Sequence, residues 1–326
     1  MAKRILISLG ANLVRLITLL VAVCAISFGL INLSPIDPVQ AYVGAGVSVS
    51  PEQRENISAF WGLDEPKGQQ FLAWSGALLK GDLGQSLIYR RPVMSIIKER
   101  FKASIALMGI AWILSGVVGF LFGIIMGVWK DRLPDRMIKT MCLVLSSTPT
   151  FWIGLLFLMV FAIWLGWFPV GLSVPAGMLA SEVTFLNRLT HMILPAITLS
   201  FTSFAGVALH TREKMITVLS SDYVLFARAR GEKEIHIVKS HGIRNVMIPA
   251  ITLQFASLSE LFGGSILVEQ VFSYPGLGQA AVQAGLKSDV PLLLGVTIFS
   301  ALFVFVGNWM ANLIYSMVDP KIRENG

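Results

Sequence analysis

Charged residues, cysteine and histidine are all scarce in this sequence. Only 14% of the 326 residues are charged, two are cysteines and four are histidines, whereas 55% are hydrophobic. Soluble domains carry about 25% charged residues, so the composition excludes an ordinary soluble domain. Cys24 and Cys142 both fall inside apolar runs, where they imply no disulfide framework and are expected to pack as small apolar side chains.

The sequence also lacks the phosphate-binding pattern G-x-x-x-x-G-K-[ST], so the chain is not expected to hydrolyse ATP itself.

The four histidines form no cluster in the sequence. His191 and His210 lie at opposite ends of one apolar run, and His236 and His241 lie in a polar segment. A tightly held transition metal needs several nitrogen or oxygen ligands. The sequence therefore predicts no catalytic site, no metal site and no cofactor bound by this chain, and each histidine is expected at an interface or in solvent.

What the sequence does contain is a series of apolar runs, several of which reach the roughly 20 residues that an α-helix needs to cross a bilayer. Backbone polar groups in lipid must be paired within the segment, which favours helices. The sequence therefore predicts an all-α, polytopic membrane protein with six transmembrane helices. The predicted spans are Leu13–Leu33, Ile105–Trp129, Ile138–Trp164, Met192–His210, Met247–Val268 and Leu292–Val318.

Basic residues are distributed unevenly between the connecting segments. They outnumber acidic residues at the N-terminus, between the second and third spans, and in the 212–246 loop. The positive-inside rule places these segments and both termini in the cytoplasm. The net charge of +7 therefore needs no nucleic acid to explain it.

This topology divides the chain into an N-terminus with the first span (1–33), an extracytoplasmic segment (34–101), a five-span core with the cytoplasmic 212–246 loop (102–318), and a cytoplasmic tail (319–326). The extracytoplasmic segment is expected to form a small cap at the outer mouth. A direct role in receiving a ligand or a delivering protein is the alternative.

The 222–249 segment is polar and basic, unlike its flanks, and reads DYVLFARARGEKEIHIVKSHGIRNVMIP. Its apolar positions follow two short helical stretches that are interrupted at Gly231, where a glycine permits a sharp reversal of the chain. Ala227 and Ala229 would let another backbone approach closely. Four basic side chains could bind an acidic or carbonyl-rich partner: Arg228, Arg230, Lys233 and Lys239. A basic helix lying on anionic lipid headgroups would show the same features, so the residues alone leave docking and lipid contact equally favoured.

The same segment resembles the EAA loop of ABC importer permeases, with Ala227 and Ala229 near its alanines, Gly231 as its glycine and Ile243–Pro249 as its end. The run DYVLFARARG followed by GIRNVMIP is similar to the form found in the dipeptide, oligopeptide and nickel permease family. Further segments agree: SPIDP at 34–38, GDLGQS at 81–86, VEQVFSYPGLG at 268–278 and VDPKIR at 318–323. The resemblance therefore runs from the first span to the C-terminus.

This resemblance implies the fold of a type I ABC importer permease in the bacterial cytoplasmic membrane, and a set of partners. They would be a second, homologous permease subunit, two cytoplasmic ATPase subunits that use Mg-ATP, and an extracytoplasmic solute-binding protein. The segment around Gly231 would form the coupling helix that inserts into a cleft of an ATPase subunit, so that ATP-driven closure rocks the transmembrane bundle between inward- and outward-facing states. The candidate coupling residues are Asp222, Tyr223, Ala227, Arg228, Ala229, Arg230, Gly231, Arg244, Asn245 and Pro249.

An acidic residue, Glu260, lies near the middle of the predicted fifth span. A carboxylate there costs about 3 kcal/mol on membrane-insertion scales, so it is expected to face the bundle interior or a watery path. Glu260, Gly263 and Gly264 are therefore the candidate substrate-path residues, and the glycines would permit close packing or a local break in the helix. The alternative role of the carboxylate is a structural hydrogen bond to another helix or to one of three serines, Ser257, Ser259 and Ser265.

The segment ELFGG at 260–264 resembles the corresponding segment of nickel permeases more than that of peptide permeases, and DRLPD at 131–135 and the short 166–188 connection favour the same interpretation. The leading expectation is therefore import of nickel or another metal ion or metal chelate. Import of dipeptides or oligopeptides by the same machinery is the alternative, since a carboxylate also suits the amino terminus of a peptide. A channel or secondary transporter that works without ATP is a remote alternative, because only one charged residue is central in a span.

Two further features lie in or beside the spans. Glu269, the turn at Pro275 and Gly276, and the following Gly278 are expected to end the fifth span on the outer side and to start a re-entrant or interfacial segment. Glycines also recur every three or four residues along the second span, at 116, 119, 123 and 127. This stripe permits close helix packing, either within the subunit or against the partner permease.

Overall fold

The computed structural model describes residues 2–33, 39, 43, 49–61, 64–178 and 182–318, so the SPIDP segment at 34–38 and the predicted tail at 319–326 lie outside the described residues. Within the described ranges the regular structure is helical and includes no β-strand, which confirms the all-α prediction. The α-helices are α1 (Ala2–Asn32), α2 (Pro51–Trp61), α3 (Lys67–Leu79), α4 (Val93–Val128), α5 (Leu133–Ser147), α6 (Thr150–Phe157), α7 (Phe185–Leu219), α8 (Asp222–Ala229), α9 (Glu234–Ile237), α10 (Arg244–Ala256), α11 (Leu258–Val271), α12 (Leu277–Leu286) and α13 (Val290–Val318). Short π-helices, π1 (Leu158–Trp164) and π2 (Val238–Ile243), continue α6 and α9.

The chain forms two compact units, and the first comprises Met1–Ala103 and Gly276–Phe305. In this unit the start of α4 packs against the start of α13. Val93 and Ile97 of α4 are buried, and a Cβ atom on Gly295 of α13 would lie only 2.6 Å from a Val93 methyl carbon. The close approach of the two helices therefore requires a glycine at this position of α13.

The second unit comprises Ser104–Pro275 and Val306–Gly326. Here the glycine stripe of α4 lies against α7. A Cβ atom on Gly119 would lie 2.8 Å from a carbonyl oxygen of α7, and one on Gly123 or Gly127 would overlap α7 side chains. Of the two predicted uses of the stripe, the structure therefore shows packing within the subunit.

Two helices are long and apolar enough to cross a membrane, over Val93–Val128 and Val290–Ala311, and three bent helix pairs raise the number to five if each pair is one span. The two helices contain most of the second and sixth predicted spans. The first predicted span lies in α1, whose described apolar part is Val14–Gly29. The count of six spans and the cytoplasmic placement of the termini stay predictions.

The third predicted span, Ile138–Trp164, is wrong as a single helix. α5 ends at Ser147, and the pair formed by α5 and the α6–π1 helix is bent by 109°. The break lies at Thr148, whose backbone is extended with ψ at 128°, directly before Pro149. Proline disfavours the helical conformation of the residue before it and cannot donate a backbone hydrogen bond. An apolar run that looks continuous in composition is therefore divided by local chemistry.

The fourth and fifth predicted spans are also bent. α7 bends by 44° between Phe201 and Ser203, and α10 and α11 meet at 49° around Ser257. The glycine pair of the fifth span was predicted to permit close packing or a break. Gly264 packs closely, since a Cβ atom there would lie 3.2 Å from a Leu199 methyl carbon, whereas the break lies before the glycines.

Candidate functional site

The predicted coupling segment folds into two short helices joined by a tight turn. α8 ends at Ala229, and Gly231 has a φ of +82°, which confirms the predicted reversal of the chain there. The Gly231 N–H donates to the Arg228 carbonyl at 2.9 Å, and the Glu232 N–H donates to the Ala227 carbonyl at 3.2 Å. This pair of bonds is a Schellman ending, in which glycine is favoured because the backbone is left-handed.

The interior of this hairpin is apolar, and an ion pair joins its two helices. Val224, Ala227 and Ile237 are buried together. The Arg228 guanidinium donates to both carboxylate oxygens of Glu234, at 2.7 and 3.2 Å, and holds the pKa of that carboxyl below its usual value. Ala227, which was expected to let another backbone approach closely, is only 4% exposed and packs in the hairpin core against Ile237. The Arg228 guanidinium is likewise bonded within the hairpin, to Glu234.

Four large apolar side chains of α8 and α9 are exposed, and together they are called here the α8–α9 surface. Tyr223 is 47% exposed, Leu225 52%, Phe226 65% and Ile235 76%. The candidate residues Ala229 and Arg230 are also exposed, and so is Asp222 at the start of α8. Several large apolar side chains exposed in one polar, basic segment are typical of a surface that binds another molecule.

The end of the coupling segment ties the hairpin to α10. The Asn245 side chain donates to the His241 carbonyl at 2.7 Å and to the Tyr223 hydroxyl at 3.4 Å. Arg244, the first residue of α10, is exposed, and Pro249 lies inside the helix. The ten candidate coupling residues therefore lie in the hairpin and in the first half of α10, although they differ in role.

A buried ion pair joins the start of α5 to α7. Arg212 donates to the two carboxylate oxygens of Asp135 at 2.6 and 2.8 Å, and the Asp131 N–H adds a third bond at 2.8 Å. The side chains of Arg212 and Asp135 are 7% and 2% exposed. Both residues lie outside the predicted spans, and the guanidinium lowers the pKa of Asp135. The acidic end of the DRLPD segment is thus committed to packing within the chain.

Glu260 lies in the first turn of α11, and its side chain is exposed. The serines named as structural partners are bonded elsewhere. Ser257 donates to the Gln254 carbonyl at 2.8 Å, Ser259 to the Asn308 side-chain oxygen at 2.7 Å, and Ser265 to the carbonyl of the residue three positions earlier at 2.8 Å. Among the described residues Glu260 makes no hydrogen bond or ion pair, so the structure provides no support for a structural hydrogen bond within this chain.

The outer-turn candidates are mostly buried. Glu269 is fully buried in α11, where it accepts a hydrogen bond from the Ser104 hydroxyl at 2.6 Å. Pro275 follows α11 and Gly276 caps the start of α12, in which Gly278 is buried. Glu269 therefore packs in the helix interior, and the turn leads into the short helix α12; the re-entrant or interfacial placement of this segment stays a prediction.

Comparison with known proteins places these features in a family. Residues 119–324 match the model described as the binding-protein-dependent transport system inner membrane component. The chain belongs to this family. It is the permease subunit of an ABC importer, a multi-pass protein of the bacterial inner membrane, and the family is one of transport subunits and not of enzymes.

Relatives align with nearly the whole permease. It is 34% identical over 308 residues to the oligopeptide transport system permease protein AppB of Bacillus subtilis, covering 94% of this chain and 96% of the relative. It is 34% identical over 323 residues to a putative peptide permease protein of Brucella ovis, covering 98% and 97%. It is 33% identical over 317 residues to the di/tripeptide transport system permease protein DppB of Pseudomonas aeruginosa, covering 93% and 94%. These relatives confirm the wider resemblance, whereas their names do not support the resemblance to nickel permeases in particular.

Sequence reasoning missed two buried polar positions of the permease. His191, expected at an interface or in solvent, is 9% exposed, and its Nδ1 lies 2.8 Å from the Gly171 carbonyl oxygen. Asp289 is fully buried and caps α13, accepting a bond from the Leu292 N–H at 3.1 Å and a second from the Ser86 hydroxyl at 2.5 Å. An aspartate just before a helix that starts with proline is a recognisable N-cap signal, but no local pattern marks His191.

Proposed function

We propose that the permease is one of two homologous membrane subunits of an ATP-driven peptide importer, fed by an extracytoplasmic binding protein and driven by two ATPase subunits that use Mg-ATP. The observation that carries this proposal is the end-to-end similarity to permeases named for oligopeptides and for di/tripeptides. Six spans, cytoplasmic termini, an extracytoplasmic segment at 34–101 and a five-span core at 102–318 complete the proposed arrangement. This chain itself binds no cofactor.

Peptide import replaces the nickel expectation as the leading function. The relatives favour peptides, and the DRLPD segment, which favoured nickel, ends in the Asp135 carboxylate that pairs with Arg212. Among the described residues no three His, Cys, Asp or Glu side chains are grouped to hold a metal ion. The remaining arguments for a metal were the short 166–188 connection and the ELFGG segment, whose acidic Glu260 serves a peptide ammonium equally well.

The α8–α9 surface is the proposed contact with an ATPase subunit. Two helical turns that present four exposed apolar side chains fit the recognition mode in which a short helix enters an apolar groove. A segment that only lies on anionic lipid would carry basic side chains toward the headgroups and need no exposed apolar ones. Arg228 is turned to Glu234 within the hairpin, whereas Arg230, Lys233 and Lys239 are exposed, so the exposed apolar side chains are what favour docking. ATP-driven movement of the ATPases would then be transmitted through α10 to the broken fifth span.

Reconstitution of the complete transporter in proteoliposomes tests the coupling. Gly231→Val should abolish peptide-stimulated ATPase activity and uptake while leaving the subunit inserted, because a left-handed backbone costs a branched residue about 1–2 kcal/mol. No atom lies within 4 Å of a Cβ atom at Gly231, so the penalty is conformational, and Gly231→Asn should retain more activity.

Phe226→Ser tests the surface itself, with Leu133→Ser as the control, since Leu133 is 71% exposed on a different helix. Only the first change should weaken ATPase association. Normal coupling in both the Phe226 and Gly231 variants would refute the docking proposal. Uptake of a labelled tripeptide without ATP would instead support a channel or secondary transporter, and uptake of chelated Ni²⁺ but no peptide would restore the metal expectation.

A further inference from the structure

We propose that Glu260 forms a subsite for the positively charged amino terminus of the transported peptide, and so selects for peptides with a free N-terminus. The inference rests on the proposed peptide function and assigns one residue of the path to one chemical group of the substrate. It is carried by the position, the exposure and the free hydrogen-bonding capacity of the carboxylate.

The exposed residues of α11 lie on one face of the helix. Glu260, Gly263, Leu267 and Gln270 are exposed, at the spacing of three and four residues that brings side chains to the same side. The buried residues of α11 occupy the remaining surface: Leu261, Phe262, Ser265, Val268 and Glu269. The exposed face therefore carries a carboxylate at one end and an amide at the other, with a glycine and a leucine between them.

A face of this composition is unsuited to hydrocarbon. A carboxylate in the middle of a span costs about 3 kcal/mol on insertion scales, and such residues face a bundle interior or a watery cavity. Among the described residues the Glu260 carboxylate has no hydrogen bond and no ion pair. The charge must therefore be balanced by water, by a partner subunit or by the cargo as it passes.

The space beside the carboxylate suits a peptide terminus. Gly263 lies one helical turn from Glu260 on the same face, and apart from its own helix backbone no atom of the described residues lies within 4 Å of the position that a Cβ atom would take there. The neighbouring Ser259 hydroxyl is committed to Asn308 at 2.7 Å, so it does not compete for the carboxylate. A main chain can thus approach the helix next to Glu260.

Charge complementarity selects the ammonium group among cations. The α-amino group of a peptide has a pKa of about 8 and is positive at neutral pH. A charge-assisted hydrogen bond from it to a carboxylate is a strong single contact. A bare transition-metal ion would require several converging ligands, and no such group is present among the described residues.

The test compares two tripeptides of the same sequence, one with a free and one with an acetylated N-terminus, in proteoliposomes that contain the complete transporter. Each is supplied with enough binding protein and peptide to saturate delivery, so that the maximal uptake rate reports on the membrane complex. Wild-type, Glu260→Gln and Glu260→Asp transporters are measured, with Glu65→Gln as a control, since Glu65 is exposed in the extracytoplasmic segment.

Glu260→Gln should lower the maximal uptake of the free peptide about tenfold, which corresponds to about 1.4 kcal/mol, and should leave that of the acetylated peptide unchanged. Glu260→Asp should retain most of the preference, and the control should behave as wild type. An equal fall for both peptides, no fall for either, or loss of complex assembly would overturn the subsite. A wild-type transporter that carries neither peptide would instead refute the proposed function, which keeps the two failures distinct.

Discussion

Removing the Asp135 carboxylate should destabilise the permease more than the loss of any exposed ion pair. Asp135→Asn keeps the size of the side chain but removes the buried anion of Arg212, which is only 7% exposed. The Arg212 charge is then left with Glu213 at 2.8 Å, whose side chain is 70% exposed and therefore compensates it weakly. Three hydrogen bonds converge on the Asp135 carboxylate. Breaking a buried pair from one side costs about 3–5 kcal/mol, because the remaining charge is uncompensated. The thermal unfolding midpoint of the purified complex, followed by fluorescence, measures the loss.

The Arg91–Glu99 pair provides the matched control for this prediction. It is as short, at 2.7 Å, but its side chains are 50% and 60% exposed, so Glu99→Gln should cost at most about 1 kcal/mol. A double replacement of Asp135 and Arg212 by leucine should recover part of the loss, since it leaves no unpaired charge. Equal midpoints for the Asp135→Asn and Glu99→Gln variants would refute the reasoning.

The pH dependence of the same pair has a definite sign. Arg212 lowers the pKa of Asp135 in the folded state, so the pair's contribution is fully present above the unfolded carboxyl's pKa of about 4. It is lost as the pH falls through the lower, folded pKa. The stability difference between wild type and Asp135→Asn should therefore be constant from about pH 6 to pH 8 and should shrink below about pH 4.

Two further substitutions test the packing of each unit. Gly123→Leu should destabilise the complex by about 1–3 kcal/mol or more, because the new side chain forces α4 away from Thr211. Gly109→Leu should be tolerated, since apart from its own helix backbone no atom of the described residues lies within 4 Å of a Cβ atom there. Equal thermal midpoints for the two variants would contradict the role of the glycine stripe in packing. Asp289→Asn should cost roughly 1–3 kcal/mol by replacing a carboxylate that accepts from Ser86. Faster hydrogen exchange in the loop after α3, which contains Ser86, is the expected readout, and unchanged exchange would argue against a role for Asp289 in holding this loop.

The helices that form long apolar runs could be predicted from the sequence. α4 and α13 are long apolar runs, and the reversal at Gly231 follows from a glycine between two short helical stretches. The division of the third span was missed, although Pro149 marks it, because hydropathy measures composition and does not follow the path of the chain. A proline and the residue before it outweigh the apolar run on either side.

The contacts that pair distant residues could not be read from local patterns. Asp135 and Arg212 are 77 positions apart, so the DRLPD segment looked like a mark of the cargo when its acidic end is a structural contact. For Ala227 the sequence indicated that another backbone could approach, but it did not show that Ile237 of the same chain folds back onto it. In both cases the missing information is which partner a side chain meets, and this depends on tertiary packing.

In the fifth span, the break at Ser257 separates α10, which is bonded to α4, from α11, which carries the exposed Glu260. Just before it, α10 is fixed to α4 by a reciprocal pair, in which the Trp112 indole donates to the Gln254 carbonyl at 2.8 Å and the Gln254 amide donates to the Trp112 carbonyl at 2.6 Å. Just after it, α11 presents Glu260 without a partner among the described residues. The two hydrogen bonds of Gln254, three residues before the break, hold the end of α10 from which α11 begins. The coupling hairpin lies at the other end of α10, so this anchored helix connects the proposed ATPase contact to the proposed peptide subsite.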